Sequence, residues 1–275
     1  MWPLGSAQIN RKGDKVELKD KVAIVTGGAS GIGKATAAAM ARLGARVAVV
    51  DVNEEDARNV ASDIGALSVA CDVGNEQSVN DMVGTVESQL GAVDILFNNA
   101  GVATGGGPLE TPLDVWQAQW EVNVMAHIYA IRAVLPSMIE RESGYILHTA
   151  SMAGILTTLG NLTYAATKHA VVGIAEWLSV TYHDKGIRVS CLAPLGVRTP
   201  MLGNPDSARP QSSMVGPIKE PEEVAQMVVD AMAEERFLIL PDPIAQSWMD
   251  RKNNDLERWL GGMRRLQGKI DEAGS

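Results

Sequence analysis

Tyr164 and Lys168 stand four positions apart and could together perform acid–base chemistry. Residues at i and i+4 of a helix share a face, so the Lys168 ammonium can lie near the Tyr164 phenol. A free tyrosine has a pKa of about 10, and a cation within about 4–6 Å can lower that pKa. The spacing therefore predicts a tyrosine that exchanges protons near neutral pH. The alternative is a half-buried tyrosine beside an exposed lysine.

Short apolar runs alternate with helical patterns from Val22 to Leu240, which is typical of βαβ units and a mostly parallel sheet. The predicted strands are 22–26, 46–51, 67–71, 95–98, 145–149, 188–193 and 237–240. The predicted helices are 31–43, 76–90, 113–139, 162–184 and 220–234. The pattern predicts an α/β fold: a Rossmann-type, doubly wound parallel β-sheet of about seven strands flanked by helices, in a single domain.

The first predicted strand runs into a glycine-rich turn with the spacing T-G-x-x-x-G-x-G, where the first helix begins. In such a turn the backbone N–H groups at the helix N-terminus bind a pyrophosphate. The residues assigned to this loop are Gly27, Ser30, Gly31, Ile32 and Gly33. The loop therefore predicts a dinucleotide site.

Asp51 closes the second predicted strand. A carboxylate at this place accepts hydrogen bonds from the adenosine ribose hydroxyls and repels a 2′-phosphate. The next residue is Val52, and no arginine or lysine is placed to neutralise that phosphate. We therefore predict NAD as the cofactor in preference to NADP. The alternative is that Asp51 only caps the helix that follows.

Together these motifs resemble those of the short-chain dehydrogenase/reductase family, in its shorter single-domain branch, over about residues 18–240. The resemblance rests on the glycine-rich turn, Cys71-Asp72-Val73, Asn98-Asn99-Ala100-Gly101, Asn123, Ser151, Tyr164, Lys168 and the segment from Pro194 to Thr199-Pro200. It implies that Tyr164 is the acid–base, and that Lys168 holds the nicotinamide ribose and lowers the tyrosine pKa. It also implies that Ser151 orients the substrate oxygen and Asn123 anchors a water in a proton relay. Further implied cofactor contacts are Asp72, Val73, Asn99, Ala100, Gly101, Pro194, Val197 and Thr199.

One position departs from the family's pattern. Leu195 follows Pro194 where glycine is usual, and the glycine is displaced to Gly196. A side chain at this place would narrow the space beside the nicotinamide or shift the loop.

The resemblance implies an NAD-dependent alcohol dehydrogenase/ketone reductase. One alternative is a sugar-nucleotide epimerase or dehydratase, which also uses Tyr-x-x-x-Lys but usually has a larger C-terminal domain. Another is a non-catalytic dinucleotide sensor or scaffold, which would not need the four catalytic side chains. Apolar residues near the predicted site indicate an apolar secondary alcohol or ketone as substrate. The candidate pocket residues are Met152, Leu156, Leu159, Leu195, Met201, Leu202, Met214 and Trp248.

Residues 1–18 are predicted to form a loose N-terminal arm, 19–240 the nucleotide-binding and catalytic domain, and 241–275 its C-terminal helical extension. Pro, Gly, Met and Leu are mixed over 199–217, which predicts a substrate lid. Surplus apolar residues on helices 113–139 and 162–184, among them Trp116, Trp120 and Trp177, predict a homodimer or homotetramer.

A net charge of −9 argues against a nucleic-acid partner. No apolar run approaches the roughly 20 residues that span a bilayer, and the first residues lack the apolar core of a secretory signal. We therefore expect a cytoplasmic protein without membrane contact. Cys71 and Cys191 lack the spacing of a metal or redox pair and are expected to be buried thiols. The four histidines show no metal-ligand spacing, so no metal is expected.

Overall fold

The computed structural model describes residues 17–202 and 216–274. All but the last two residues of the predicted N-terminal arm lie outside these ranges. So do Met214 and most of the predicted lid, which therefore stays a prediction.

Seven parallel strands form one sheet. They are β1 (Val22–Thr26), β2 (Arg46–Asp51), β3 (Leu67–Ala70), β4 (Ile95–Asn98), β5 (Gly144–Thr149), β6 (Ile187–Leu192) and β7 (Leu238–Ile239). Their order across the sheet is β3-β2-β1-β4-β5-β6-β7, and every neighbouring pair is parallel. The predicted fold class is confirmed. The strand order reverses beside β1, so a crevice opens between the carboxyl ends of β1 and β4, where ligands bind in such sheets.

In the part of the chain that the structure describes, ten α-helices lie between and after the strands. They are α1 (Gly31–Arg42), α2 (Glu54–Ile64), α3 (Glu76–Leu90), α4 (Leu113–Trp120), α5 (Ala126–Glu140), α6 (Ala153–Leu156), α7 (Leu162–Tyr182), α8 (Pro221–Ala233), α9 (Pro243–Asn254) and α10 (Leu256–Gly274). Residues of α1, α2 and α8 build the apolar core on one face of the sheet. Residues of α3, α5 and α7 build the core on the other face.

The sequence analysis did not predict α2, although its ends carry clear signals. The Asn53 side chain accepts a hydrogen bond from the Asp56 N–H, and Gly65 ends the helix with a φ of 66°. The predicted helix 113–139 is in fact three segments, because a π-helical turn, Glu121–Met125, separates α4 from α5. The predicted C-terminal extension is two helices, and α9 packs against α6.

One helical stretch among the described residues, Leu113–Glu140, is long and apolar enough to cross a membrane by length and composition, contrary to the sequence-based expectation. Half of its most apolar window is buried inside the domain, where α5 packs on α3 and the sheet. A core helix meets the same criteria, so this stretch is weak evidence for a membrane segment.

Candidate active site

The glycines of the glycine-rich turn pack so closely against their neighbours that a side chain would not fit at these positions. A Cβ added to Gly27, whose φ is 62°, would lie 2.9 Å from the Cα of Ala100. A Cβ on Gly33 would lie 2.1 Å from the carbonyl oxygen of Gly27. The turn therefore closes directly onto the first turn of α1 and leaves that helix N-terminus open for an anion. The Ser30 side chain makes no capping hydrogen bond and lines the adjacent cavity.

Asp51 lies at the carboxyl end of β2, beside the glycine-rich turn. Its Oδ2 accepts a hydrogen bond from the Ala29 N–H at 3.1 Å, and its Oδ1 accepts one from the Asn53 N–H at 3.1 Å. These bonds fix the carboxylate at the cavity wall. The helix that follows is capped by Asn53, so capping does not account for Asp51.

Asn99 ties together the ends of three strands beneath the cavity. Its Nδ2 donates to the Thr26 carbonyl at 3.0 Å, and its Oδ1 accepts from the Thr149 hydroxyl at 3.0 Å. On the other side of the crevice, the Asp72 carboxylate accepts a hydrogen bond from the Gly74 N–H at 2.9 Å. The crevice predicted from the strand order is therefore lined by residues at or just after the carboxyl ends of β1, β2, β3, β4 and β5.

Asn123 lies inside the π-helical turn and is fully buried. Its amide forms two 2.8 Å hydrogen bonds with the backbone N–H and carbonyl of Val102, and a third, at 3.1 Å, with the Thr167 hydroxyl. The side chain thus joins the loop after β4 to α7. π-Helical turns are rare and are frequent at functional sites, where they turn backbone groups away from the regular ladder.

Ser151, Tyr164 and Lys168 converge on one wall of the cavity. The Lys168 Nζ lies 5.7 Å from the centroid of the Tyr164 ring and donates to the Thr149 carbonyl at 2.8 Å. The Ser151 hydroxyl hydrogen-bonds to the Tyr164 phenol. Four residues apart on α7, the tyrosine and lysine share a face as the spacing predicts.

The electrostatics differ from the expectation that Lys168 lowers the tyrosine pKa. Burial raises the pKa of Tyr164 above its ordinary value of 10, and the hydrogen bond from Ser151 only partly offsets this. Burial also lowers the pKa of Lys168 to about 8, against a smaller effect of Cys191. In the chain alone, Tyr164 is therefore a neutral phenol at neutral pH.

The cavity has a volume of about 830 Å³ and runs from Asp51 to the catalytic wall. All predicted cofactor residues line it except Gly33, which packs behind the turn. Lys168 is the one cationic side chain among the described lining residues, and Asn123 does not reach the cavity surface.

Of the predicted substrate residues, four line the cavity: Met152, Leu195, Met201 and Leu202. Leu156, Leu159 and Trp248 are not among the described lining residues. Leu156 and Trp248 instead belong to an apolar cluster behind the wall, with α9. The sequence analysis missed further lining residues: Val52, Cys71, Val102, Ala103, Thr104, Val122, Thr149, Ala150, Ala153, Thr157, Thr158, Gly196 and Pro200. Their one sequence signal is their position beside predicted site residues.

The segment with Leu195 in place of the usual glycine is held from behind. The Leu195 N–H donates to the carboxylate of Asp242, a side chain only 2% exposed at the start of α9. The Gly196 carbonyl accepts from the Lys219 N–H at 3.0 Å. Thr199 lies against the glycine-rich turn, because a Cβ on Gly31 would come 2.7 Å from its Cγ2.

No cluster of metal-ligating side chains occurs within the described ranges. Two histidines form a buried pair beneath the catalytic wall. The rings of His127 and His148 are stacked, with their Nδ1 atoms 2.8 Å apart, and neither Nε2 has a hydrogen-bond partner within the described structure. One Nδ1 must accept, so that ring is neutral, and burial lowers the pKa of both rings and favours the neutral form of the other.

Comparisons with known proteins agree with the fold and with the predicted dinucleotide cofactor. The short chain dehydrogenase family model matches residues 21–210. The chain is 33% identical over 242 residues to the 2,5-dichloro-2,5-cyclohexadiene-1,4-diol dehydrogenase of Sphingobium indicum, covering 84% of this chain and 97% of that one. It is 34% identical to the cyclohexanol dehydrogenase of an Acinetobacter species, with coverages of 81% and 92%. A crystal structure of a short chain dehydrogenase/reductase from Burkholderia phymatum in complex with NAD superposes with a TM-score of 0.79 at 30% identity, covering 88% of this chain and 95% of that one.

Proposed function

The chain belongs to the short-chain dehydrogenase family, and from this premise we propose that it interconverts a secondary alcohol and a ketone. The observation that carries the proposal is the meeting of Ser151, Tyr164 and Lys168 on the wall of a cavity that extends to Asp51. Proton-transfer groups and a dinucleotide site thus share one cavity.

NAD is the cofactor, and the residues present fit it. The glycines of the turn leave no room for a Cβ, and the turn opens the N-terminus of α1 toward the cavity, where a pyrophosphate would bind. Asp51 would hold the adenosine ribose, and Lys168 the nicotinamide ribose. Bound there, NAD supplies the hydride acceptor for alcohol oxidation and, as NADH, the hydride donor for ketone reduction.

Tyr164 exchanges the proton in this proposal. Burial keeps the phenol protonated at neutral pH because it raises the tyrosine pKa, so the side chain is ready to donate to a ketone oxygen. The Ser151 hydroxyl, beside the phenol, orients that oxygen. Oxidation of an alcohol needs the phenolate instead. Alcohol oxidation should therefore rise with pH toward the raised pKa, while ketone reduction declines.

The substrate is an apolar alcohol or ketone. Met152, Leu195, Met201 and Leu202 give the catalytic end of the cavity an apolar wall. A relative acts on cyclohexanol, by its name, which supports a small carbocyclic substrate.

The test is a screen of secondary alcohols with NAD⁺ and of ketones with NADH on the purified chain, followed by NADH absorbance. Tyr164→Phe should lower turnover by about 10²–10⁴-fold while NADH still binds, because only the ionisable oxygen is lost. Tyr182→Phe, the same change at the far end of α7, should leave turnover unchanged. Near-normal activity of Tyr164→Phe on a turned-over substrate would refute the proposed acid–base.

We further propose that the protein is a homo-oligomer. The outer faces of α5 and α7 form an apolar groove of about 860 Å³, lined by Ile128, Ile131, Leu135, Ile139, Ile174, Leu178 and the half-exposed Trp177 among others. Apolar grooves of this size on the surface are typical of subunit contacts.

A further inference from the structure

Thr157 lies in the wall of the cavity with a backbone conformation that its residue type disfavours. It follows the last residue of α6, with a φ of 76° and a ψ of 176°. For a β-branched residue this region is a genuine outlier, and glycine adopts it without strain. Backbone strain of this kind persists where the surrounding structure or the function requires it. The side chain at 157 is therefore a candidate for a role in binding.

The hydroxyls of Thr157 and of its neighbour Thr158 are not engaged by any residue that the structure describes. Both residues are half-buried and line the cavity, yet neither hydroxyl has a hydrogen-bond partner within the described ranges. Other hydroxyls of the same wall are occupied by the protein: Thr104 bonds to the Gln119 side chain and Thr149 to Asn99. Two free hydroxyls in a largely apolar wall are suited to bind a polar group of a ligand.

These hydroxyls lie at the substrate end of the cavity, away from Asp51. The short helix α6 begins two residues after Ser151, and Thr157 follows its end. Its four residues rise by about 6 Å at 1.5 Å per residue. Gly154 holds this helix directly on α7, since a Cβ there would lie 2.3 Å from the Lys168 carbonyl oxygen. Thr157 follows Ser151 by six residues and lines the same cavity, so the threonines are placed to reach the far side of a compact substrate.

We infer that Thr157 and Thr158 bind a second oxygen of the substrate, so that the substrate class is a cyclic diol or hydroxyketone with its oxygens on opposite sides of a small ring. The inference rests on the proposed function. One carbinol carbon would lose a hydride to NAD⁺, and its hydroxyl proton would pass to the phenolate form of Tyr164, which becomes the neutral phenol. The second oxygen only forms hydrogen bonds and leaves unchanged. The names of two relatives offer the two choices, a 1,4-diol and cyclohexanol, and the free hydroxyls favour the diol.

The experiment compares cyclohexane-1,4-diol with cyclohexanol as substrates of the purified full chain with NAD⁺. We expect the wild type to have a kcat/KM for the diol at least about tenfold above that for cyclohexanol. Thr157→Val and Thr158→Val keep the side-chain shape and remove the hydroxyl. At least one of them should lower the diol-to-cyclohexanol ratio of kcat/KM about fivefold to tenfold, because only the diol has a second oxygen to lose this hydrogen bond. Thr85→Val, on the distant helix α3, is the matched control and should leave the ratio unchanged.

The Thr157→Gly variant and a measurement of NADH binding are the controls for misfolding. Glycine relieves the strain, so this variant should fold, bind NADH and oxidise cyclohexanol while losing the preference for the diol. If the wild type oxidises cyclohexanol but does not prefer the diol, or if neither valine variant nor the glycine variant changes the ratio, this inference is wrong and the proposed function stands. If no secondary alcohol or ketone is converted, the proposed function fails and this inference fails with it.

Discussion

At the scale of the residue, Asp51 should decide which dinucleotide is used. Its carboxylate is fixed by the Ala29 and Asn53 N–H groups at the cavity wall, where a 2′-phosphate would meet a negative charge. We predict that NAD is preferred over NADP by at least about tenfold in kcat/KM, or roughly 1.4 kcal/mol. Asp51→Ala should relax this preference, mostly by weakening NAD use. Asp63→Ala, an exposed site with the same charge change, is the control, and equal use of both cofactors by the wild type would contradict the prediction.

The His127–His148 pair should make the protein sensitive to mild acid. Burial is the main cause that lowers the pKa of His148 to about 3, and the nearby Lys168 adds to it. Burial is also the main reason why the pKa of His127 lies well below 6.5, with smaller effects of His148 and Lys168. Below pH 6.5 these histidines bind protons in the unfolded chain but stay neutral in the folded chain. The stability that the folded state gains from neutral histidines is therefore complete above pH 6.5 and is lost as the pH falls toward 3. The free energy of unfolding should fall by about 1.4 kcal/mol per pH unit for each histidine.

Urea unfolding between pH 6.5 and about 5 measures this slope, since few carboxylates titrate there. Replacing both histidines by leucine should flatten the slope, because the titrating groups are removed without leaving one buried partner unpaired. His183→Asn, at an exposed histidine, should not change it. A slope equal to that of the wild type in the double variant would show that other groups cause the acid sensitivity.

The relative placement of two catalytic side chains could be predicted from the sequence where both lie on one helix. The face shared by Tyr164 and Lys168 follows from helical periodicity alone. The direction of the Tyr164 pKa shift does not, because it depends on burial by elements distant in the chain. Likewise, Leu156 and Trp248 were predicted in the substrate pocket because they are apolar, but residue type does not show which side of the cavity wall a side chain faces. Both side chains pack behind the wall.

At the scale of the element, the contact of α6 with α7 should control the catalytic geometry. A Cβ on Gly154 would lie 2.3 Å from the Lys168 carbonyl oxygen and 3.1 Å from the His169 nitrogen, both backbone atoms of α7. Gly154→Ala must therefore push apart the helices that follow Ser151 and carry Tyr164. We predict a loss of stability of about 1–3 kcal/mol and a fall in turnover beyond what the unfolded fraction explains.

The control for this prediction is Gly84→Ala in α3. A Cβ at Gly84 meets nothing within 4 Å, so alanine should stabilise the helix by about 0.5–1 kcal/mol without changing turnover. Denaturant unfolding and single-turnover kinetics measure the two effects. Wild-type turnover in Gly154→Ala would mean that the spacing between α6 and α7 is not critical.

The irregular elements are those that the sequence pattern could not predict. Apolar periodicity runs unbroken through residues 113–139, because a π-helical turn inserts one residue without changing the composition. That turn is held by tertiary bonds of Asn123 to Val102 and Thr167, which no local pattern encodes. By contrast, the strands were predicted to within two residues at either end, because buried parallel strands form nearly continuous apolar runs.

At the scale of the whole molecule, the doubly wound sheet explains why sequence motifs so distant in the chain meet. Parallel strands place all their carboxyl ends at one edge, so the loops after β1, β2, β4 and β5 converge on a single crevice. The strand order therefore brings most of the site residues together. The site does not involve the outer faces of the helices, and an apolar groove lies on those of α5 and α7.

That surface should be the contact between subunits. Trp177 is 60% exposed and Val180 86% exposed on α7, and the groove beside them is lined almost wholly by apolar side chains, with Arg132 the one charge among the described lining residues. We predict that the wild type is an oligomer and that Trp177→Glu shifts it toward the monomer, because a carboxylate would be buried without a partner. Light scattering after size-exclusion chromatography measures the mass. Leu43→Glu places the same charge on a half-exposed leucine at the end of α1, away from the groove, and should leave the mass unchanged. A monomeric wild type would show that there is no stable subunit contact. An oligomer that persists in Trp177→Glu would show that the contact lies on another surface.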